Sequence, residues 1–474
     1  MTTQNNKRIL HRKEFQMMTP APSASVAGSF ILKDPVGLRK TAMLVLSAVL
    51  QYLYHIDEDA WVQIPSMALA GTFGAGACGA WGAWSNTITA NGGTTTTITT
   101  TANISSMAVG RTVRFLTGAN AGNEATVLRV SVVPGGTSTI VLSAPLGVAV
   151  ANTDTFKIDT GVYYIMNAGT IASGIFKSYD VLTGTVTSLG TTNLPATWGT
   201  DGKLVATPAY VGAFATGTAT AGAGSTLTNS GKAWATNQWT NYQIRITGGT
   251  GKGQIRTIAS NTGTVITVSS AWTVNPDATS TYAIEGNDDY MYLLGNNAVT
   301  MYRYSISANT WTAMAPTTAR AGAPIAGMSA NWVGKTQNAS WSDENNIQDG
   351  RYIYSFRGGS ATLDRFDIAG GTAGAGAWAN VAYIRAQETF SSGSSYDHSD
   401  GKIYIKKDAT GRFFYLDVPG NILLPFNTDL YPDGVAVIGD KMFSATYTTG
   451  SGDDIDWLYF LDNTSTVFRR IMIY

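Results

Sequence analysis

Along most of the chain, apolar and polar positions alternate at period two over short runs that end in Gly, Asn, Asp or Ser. The clearest are YLYHIDEDAW (Tyr52 to Trp61), FKSYDVLTGTV (Phe176 to Val186), MYRYSISANTW (Met301 to Trp311), LDRFDIAGG (Leu363 to Gly371), FFYLDVPGNILL (Phe413 to Leu424) and LYFLDNTSTVF (Leu458 to Phe468). A two-residue period puts alternate side chains on opposite faces of a strand, and a polar turn before a second apolar entry predicts a hairpin. The expected fold class is all-β.

The spacing of these hairpins sets the expected architecture. The last three intervals are 62, 50 and 45 residues, whereas the first two are 124 and 125. The two long gaps hold segments that resemble each other: GRTVRFLTGANAGNEATVL (Gly110 to Leu128) and NYQIRITGGTGKGQIRTIA (Asn241 to Ala259). An offset of 131 superposes Arg114 on Arg245, Gly118 on Gly249, Gly122 on Gly253 and Thr126 on Thr257. Downstream, STIVLSAPL matches TVITVSSAW, and DTFKI and STYAI close the copies. This reads as one small β module present twice, at 85–158 and 214–285. Removing 74 and 72 residues leaves intervals of 50 and 53, so six units of one period cover 42–474. Radial stacking would bury both faces of six such sheets, which predicts a β-propeller.

The match of IYSFRGG (Ile353 to Gly359), together with the seven-residue intervals Tyr54 to Trp61 and Tyr304 to Trp311, resembles kelch-type repeats. The unit at Phe413 departs from that pattern, with Leu423 in place of tryptophan. The expectation is therefore a six-bladed kelch-like β-propeller with two inserted small β-barrel-like domains and an extended N-terminal arm. Its expected divisions are an arm at 1–30, a first blade and closure strand at 31–84, insert 1 at 85–158, a blade at 159–213, insert 2 at 214–285 and the remaining blades at 286–474. The polar, then Pro-, Ala- and Ser-rich arm has too few spaced apolar groups to form a core of its own. Closure is expected to bring Met43 to Leu50 beside Phe468 to Tyr474.

Composition narrows the function. The 474 residues carry 31 basic and 31 acidic side chains, a formal net charge of zero, which argues against a nucleic-acid coat. Basic residues are scattered, and Arg469–Arg470 is the adjacent pair beyond the arm. The apolar run Ala42 to Leu50 is too short to cross a bilayer as a helix. One cysteine, Cys78, and three histidines, His11, His55 and His398, supply no zinc or iron–sulfur spacing.

Each candidate site also has a plainer structural reading. GGTGKGQ (Gly248 to Gln254) lacks the Ser or Thr and the helix that a phosphate loop needs, and reads as a hairpin turn. The acidic runs Asp57–Asp59, Asn287–Asp289 and Asp453, Asp454 and Asp456 lack the spacing of a calcium loop. A copper site resembling that of galactose oxidase would have to draw on Cys78, His55 and His398, and Cys78 reads better as a small buried hydrophobe. Asp201, Asp349 and Glu388 are acids at turns, and nothing in the sequence pairs them for glycoside hydrolysis. Alternating tyrosines, Tyr52 with Tyr54 and Tyr302 with Tyr304, read as hairpin faces. No catalytic, cofactor or metal residue is assigned.

The inserted modules are similar in style to those of tail, neck and surface proteins of tailed bacteriophages. That resemblance implies a non-enzymatic virion structural protein, at the tail, head–tail connector or capsid surface. It also implies multiple copies, with other virion proteins as partners through the arm and inserts. The alternative is a carbohydrate- or protein-binding propeller of a bacterial surface, with a glycan-active enzyme as a third option.

Overall fold

A computed structural model describes residues 16–25, 30–33, 41–45, 51–64, 73–74, 77–82, 84–133, 136–167, 171, 174–199, 203–206, 213–295, 299–316, 318–320, 329–332, 352–357, 360–371, 374–381, 388, 390, 395–399, 402–407, 412–417, 420–426, 441–448, 454–462 and 465–472. The statements below concern these residues.

The architecture is all-β, in eight separate antiparallel sheets. Six have four strands each. Sheet 1 holds Phe30–Lys33, Thr41–Val45, Gln51–His55 and Ala60–Ile64, and sheet 2 holds Cys78–Gly82, Val162–Met166, Phe176–Asp180 and Thr185–Ser188. Sheet 3 holds Lys203–Ala206, Tyr290–Leu294, Met301–Ser305 and Thr310–Ala313, and sheet 4 Ser329–Trp332, Tyr352–Phe356, Leu363–Asp367 and Ala377–Val381. Sheet 5 holds Ser395–Ser399, Lys402–Lys406, Phe413–Asp417 and Ile422–Phe426. Sheet 6 holds Lys441–Thr448, Asp454–Leu461, Phe468–Met472 and Gln16–Met17.

Sheets that are neighbours in the chain share cores. Leu53 and Ile64 of sheet 1 meet Trp81 and Tyr163 of sheet 2, whose Val162 and Phe176 meet Leu293 and Trp311 of sheet 3. Tyr292 and Met301 of sheet 3 meet Ile353 and Trp378 of sheet 4, whose Phe356 meets Ile405 and Leu416 of sheet 5. Sheet 5 in turn meets Leu458 and Phe460 of sheet 6, and the other face of sheet 6, with Tyr459 and Phe468, lies on Leu44 and Tyr54 of sheet 1. Coverage on both faces explains why Val162–Met166 and Phe176–Asp180 are buried at every position rather than alternately.

The remaining two sheets are the duplicated segments. Module 1 has the order Ile88–Asn91, Asn152–Ile158, Thr112–Phe115, Glu124–Ser131, Ser138–Leu142 and Thr97–Thr100. Module 2 repeats it as Ala215–Thr218, Thr281–Glu285, Gln243–Gly248, Ile255–Asn261, Val265–Val268 and Thr226–Thr228, then adds Ala221–Ala223. Each lies between the first and second strands of its host sheet, module 1 in sheet 2 and module 2 in sheet 3. The matched sequence positions fill matched core positions: Val113, Phe115, Val127, Ile140 and Phe156 in one, Ile244, Ile246, Ile258, Ile266 and Tyr282 in the other.

Three expectations are corrected. The kelch-like six-bladed propeller gives way to the eight separate sheets, none closed into a barrel or propeller by its strand pairing. Period-two alternation fixes the face each side chain takes, but it does not specify how sheets are set against one another. The inserted barrels give way to linear strand orders with two edges each; in module 1 the edges touch at the bridge between Gly93 and Ile98 and at the bond from Thr100 Oγ1 to the Thr89 carbonyl, without forming a paired ladder. The early strand that completes the carboxy-terminal sheet beside Phe468–Met472 is Gln16–Met17, in register with Arg470 and Arg469; of the expected Met43 to Leu50, residues 46–50 lie outside the described residues, and Leu44 packs in one core with Phe468 without pairing with it. Thr41–Val45 is instead an interior strand of sheet 1, paired on both sides. Residues 16–25 of the expected arm thus lie on this chain's own carboxy-terminal sheet, with Met18 and Ala21 buried beside Phe468.

Candidate functional site

Two of the aromatic hairpins are clasps between sheets. In sheet 1 the Tyr54 hydroxyl donates to Asp59 Oδ1 at 2.8 Å, and in sheet 3 the Tyr304 hydroxyl donates to Asn309 Oδ1 at 2.6 Å. Asp59 and Asn309 have φ of 47° and 52°, a turn conformation that Asn and Asp tolerate better than most side chains. Two residues later the tryptophan reaches the chain leaving the previous sheet. Trp61 Nε1 donates to the Thr19 carbonyl at 3.0 Å, and Trp311 Nε1 to the Gly190 carbonyl at 3.2 Å. The same turn residues close the clasp from the other side, because Thr19 N donates to Asp59 and Gly190 N to Asn309. Burial pushes the Tyr54 and Tyr304 phenols well above their ordinary pKa. The seven-residue interval therefore has a mechanical role.

This structural duty accounts for much of the candidate chemistry. Asp59 is held in the clasp. Asn287 and Asp288 accept from Gln243 Nε2 at 2.9 and 2.7 Å, and Asp289 accepts from Ser305 Oγ and Ser307 N at 2.6 and 2.7 Å. Glu388 pairs with Lys407 at 2.8 Å and Arg412 at 3.3 Å. Asp201, Asp349, Asp453 and His11 lie outside the described residues, as do the side chains of Asp454, Asp456 and His398. Cys78 is buried in sheet 2, opposite Met166, while His55 ends a strand of sheet 1. Among the described residues no three His, Cys, Asp or Glu side chains are grouped to hold a metal. Among the described residues no helix is long and apolar enough to cross a membrane. Gly248 to Gln254 is the turn between two strands of module 2, with positive φ at Gly249, Gly251 and Gly253. Arg469 bonds Asp462 at 3.1 Å, and Arg470 lies over Trp457 and bonds the Tyr459 hydroxyl, whose pKa burial pushes up to about 12.

Charge is concentrated instead where the two modules meet. Arg114 Nε donates to Glu124 Oε1 at 2.6 Å within module 1, and Arg245 Nη2 to Glu285 Oε1 at 2.6 Å within module 2. The cross pairs are longer: Arg114 to Glu285 at 3.5 Å and Arg245 to Glu124 at 3.6 Å. The Arg114 guanidinium also sits 4.4 Å from the centre of the Trp84 ring. Beside this cluster the two glycine turns touch, and Lys252 Nζ donates to Asn123 Oδ1. The offset of 131 in the sequence identified both arginines. It could not identify the carboxylates, because Glu124 and Glu285 occupy non-equivalent positions in the two copies. Both carboxylates face guanidinium donors, an arrangement suited to holding the modules together.

Module 1 carries five large exposed hydrophobic side chains, Val109, Leu128, Val132, Val133 and Val148, three of them within six residues of chain, with Leu128 62% and Val133 58% exposed. Glu124–Ser131 has an irregular register between Val127 and Arg129, and this bulge holds Leu128. Alternating burial along the strand turns Val127 inward and Leu128 outward.

No protein-family model matches the chain, and no curated protein does. Among solved structures, it is similar to a structural genomics protein of unknown function from Bacteroides thetaiotaomicron, at 10% identity, covering 79% of this chain and 93% of that one with a TM-score of 0.18. It is also similar to an auxiliary nutrient-binding protein from the same organism, at 10% identity, 83% and 97% coverage and a TM-score of 0.25. A third similar structure is the phage phi92 endosialidase, at 11% identity, 98% and 70% coverage and a TM-score of 0.20. Likenesses this distant carry neither a fold nor an activity over to this chain. No family model or curated protein supports the kelch or virion identity expected from the sequence. The reading as a structural protein located in a phage virion is accordingly withdrawn.

Proposed function

We propose that the protein is a non-catalytic, carbohydrate- or protein-binding protein of a bacterial surface, with the paired modules as its binding face. The observation that carries this reading is the group of exposed Leu128, Val132 and Val133 along one hairpin of module 1. Exposed apolar side chains concentrated in one region, with polar surroundings, are characteristic of interaction surfaces. The sheets share cores with their neighbours, and clasps join sheet 6 to sheet 1 and sheet 2 to sheet 3, so they act as a rigid support. The ionisable clusters of the modules are engaged in internal pairs, which supports binding rather than turnover.

The test uses the intact protein with Leu128→Ser and Val133→Ser together. Binding on a glycan array, or capture of a defined surface protein from intact cells, should fall at least tenfold while the melting temperature stays within about 2 °C, as expected of solvent-facing substitutions. Unchanged binding in the double variant, or glycan turnover by the wild-type protein, would overturn the reading.

A further inference from the structure

The two modules meet through equivalent positions. Gly122 and Gly253, related by the offset of 131, touch each other: a Cβ placed on Gly122 would lie 2.8 Å from Gly253 Cα. The next pair of contacts is also exchanged. Gly122 faces the Lys252 side chain, and Gly253 faces Ala121, which is the position equivalent to Lys252. Arg114 and Arg245, a third equivalent pair, enter one charge cluster and each reaches the other's carboxylate partner. When residue i of one copy meets residue j of the other while j of the first meets i of the second, the contact is self-complementary, as about a twofold axis.

We propose that this face is a self-association surface of the module, organised about a local twofold axis through the Gly122–Gly253 contact, and that the partner it fits is a second copy of the same module. Here the chain supplies both copies, inserted at the same connection of sheets that share a core, so the association is intramolecular and its effective concentration is high. The glycines are required twice over. Their φ values of +76° and +89° favour glycine, and the space between them excludes any side chain. The contact makes the pair one body.

Conformational strain and lost contact can be separated within the same fold. Gly110 in module 1 and Gly224 in module 2 also have positive φ, at +81° and +55°, but a Cβ on either would meet nothing within 4 Å. In the full-length chain, spin labels at Ser131→Cys and Ser230→Cys would report the distance between modules. Gly122→Ala and Gly253→Ala should each broaden the distance distribution, whereas Gly110→Ala and Gly224→Ala should lower the melting temperature and leave the distribution narrow. Should a turn variant fail to fold, Glu124→Gln, which weakens a cross pair without entering the glycine contact, should broaden the distribution to a smaller extent. An unchanged distribution in the folded contact variants, or equal broadening in the two controls, would overturn the proposal.

Discussion

The two modules share a strand order and a core but not a surface. From Val130 to Ile140 module 1 runs through nine intervening residues, including Val132 and Val133; from Asn261 to Ile266 module 2 runs through four, Thr262, Gly263, Thr264 and Val265. Leu128 of module 1 corresponds to Ala259 of module 2. The copies have thus kept what folds them and diverged in what faces solvent, and the apolar hairpin belongs to one copy alone. Duplication followed by change on the outer face is how a repeated fold acquires a site.

The largest expected effect breaks the shared part. Phe156 and its counterpart Tyr282 are fully buried in their modules, so Phe156→Ala should cost about 3–5 kcal/mol in denaturant unfolding, and Tyr282→Ala a similar amount. A result below about 1 kcal/mol at either position would mean that the two cores are not equivalent. A smaller effect separates the cores chemically. The Tyr282 hydroxyl accepts a buried 2.8 Å bond from Asn229 Nδ2, a partner that Phe156 does not need. Tyr282→Phe should therefore cost roughly 1–3 kcal/mol by stripping Asn229 of that acceptor, and pairing it with Asn229→Ala in a double-mutant cycle should recover part of the loss.

The third comparison is one of pH. Asp159 and Glu285 stand at corresponding chain positions, but Asp159 accepts from Thr112 N at 2.7 Å while Glu285 meets the two arginines. Burial raises the Asp159 pKa, with the Thr112 bonds and Arg111 opposing it. A carboxyl with a raised folded-state pKa binds its proton more readily folded than unfolded. Its contribution to stability is therefore present below the ordinary aspartate range and is lost as pH rises through the raised value. The melting temperature of Asp159→Asn, measured against the wild type at each pH over that window, should therefore gain on the wild type as pH rises, and a difference that does not change with pH would refute this contribution.

The sequence revealed the strands, the duplication and the tyrosine-to-tryptophan interval because each is a local or periodic signal. It misled on closure for an equally physical reason. Ala42 to Leu50 is the most apolar run in the chain and looked suited to an edge needing a partner, whereas Gln16–Met17 is a two-residue strand with no period to read. The junction was half visible: the arginines align between copies, while Glu124 and Glu285 converge only in three dimensions. How the sheets are set against one another was not legible, since the same alternation serves any face-to-face arrangement.

Gln16 bonds Arg470 across 454 positions of sequence. A ribosome adding roughly 5–20 residues per second needs about 20 to 90 s to make the second partner after the first. Throughout that time the beginning of the chain must wait outside the tunnel with its place in the last sheet not yet synthesised. Translation arrest before Phe468 would therefore leave nearly every other sheet's strands available, but this one seam open and both of its lips exposed to chaperones and proteases.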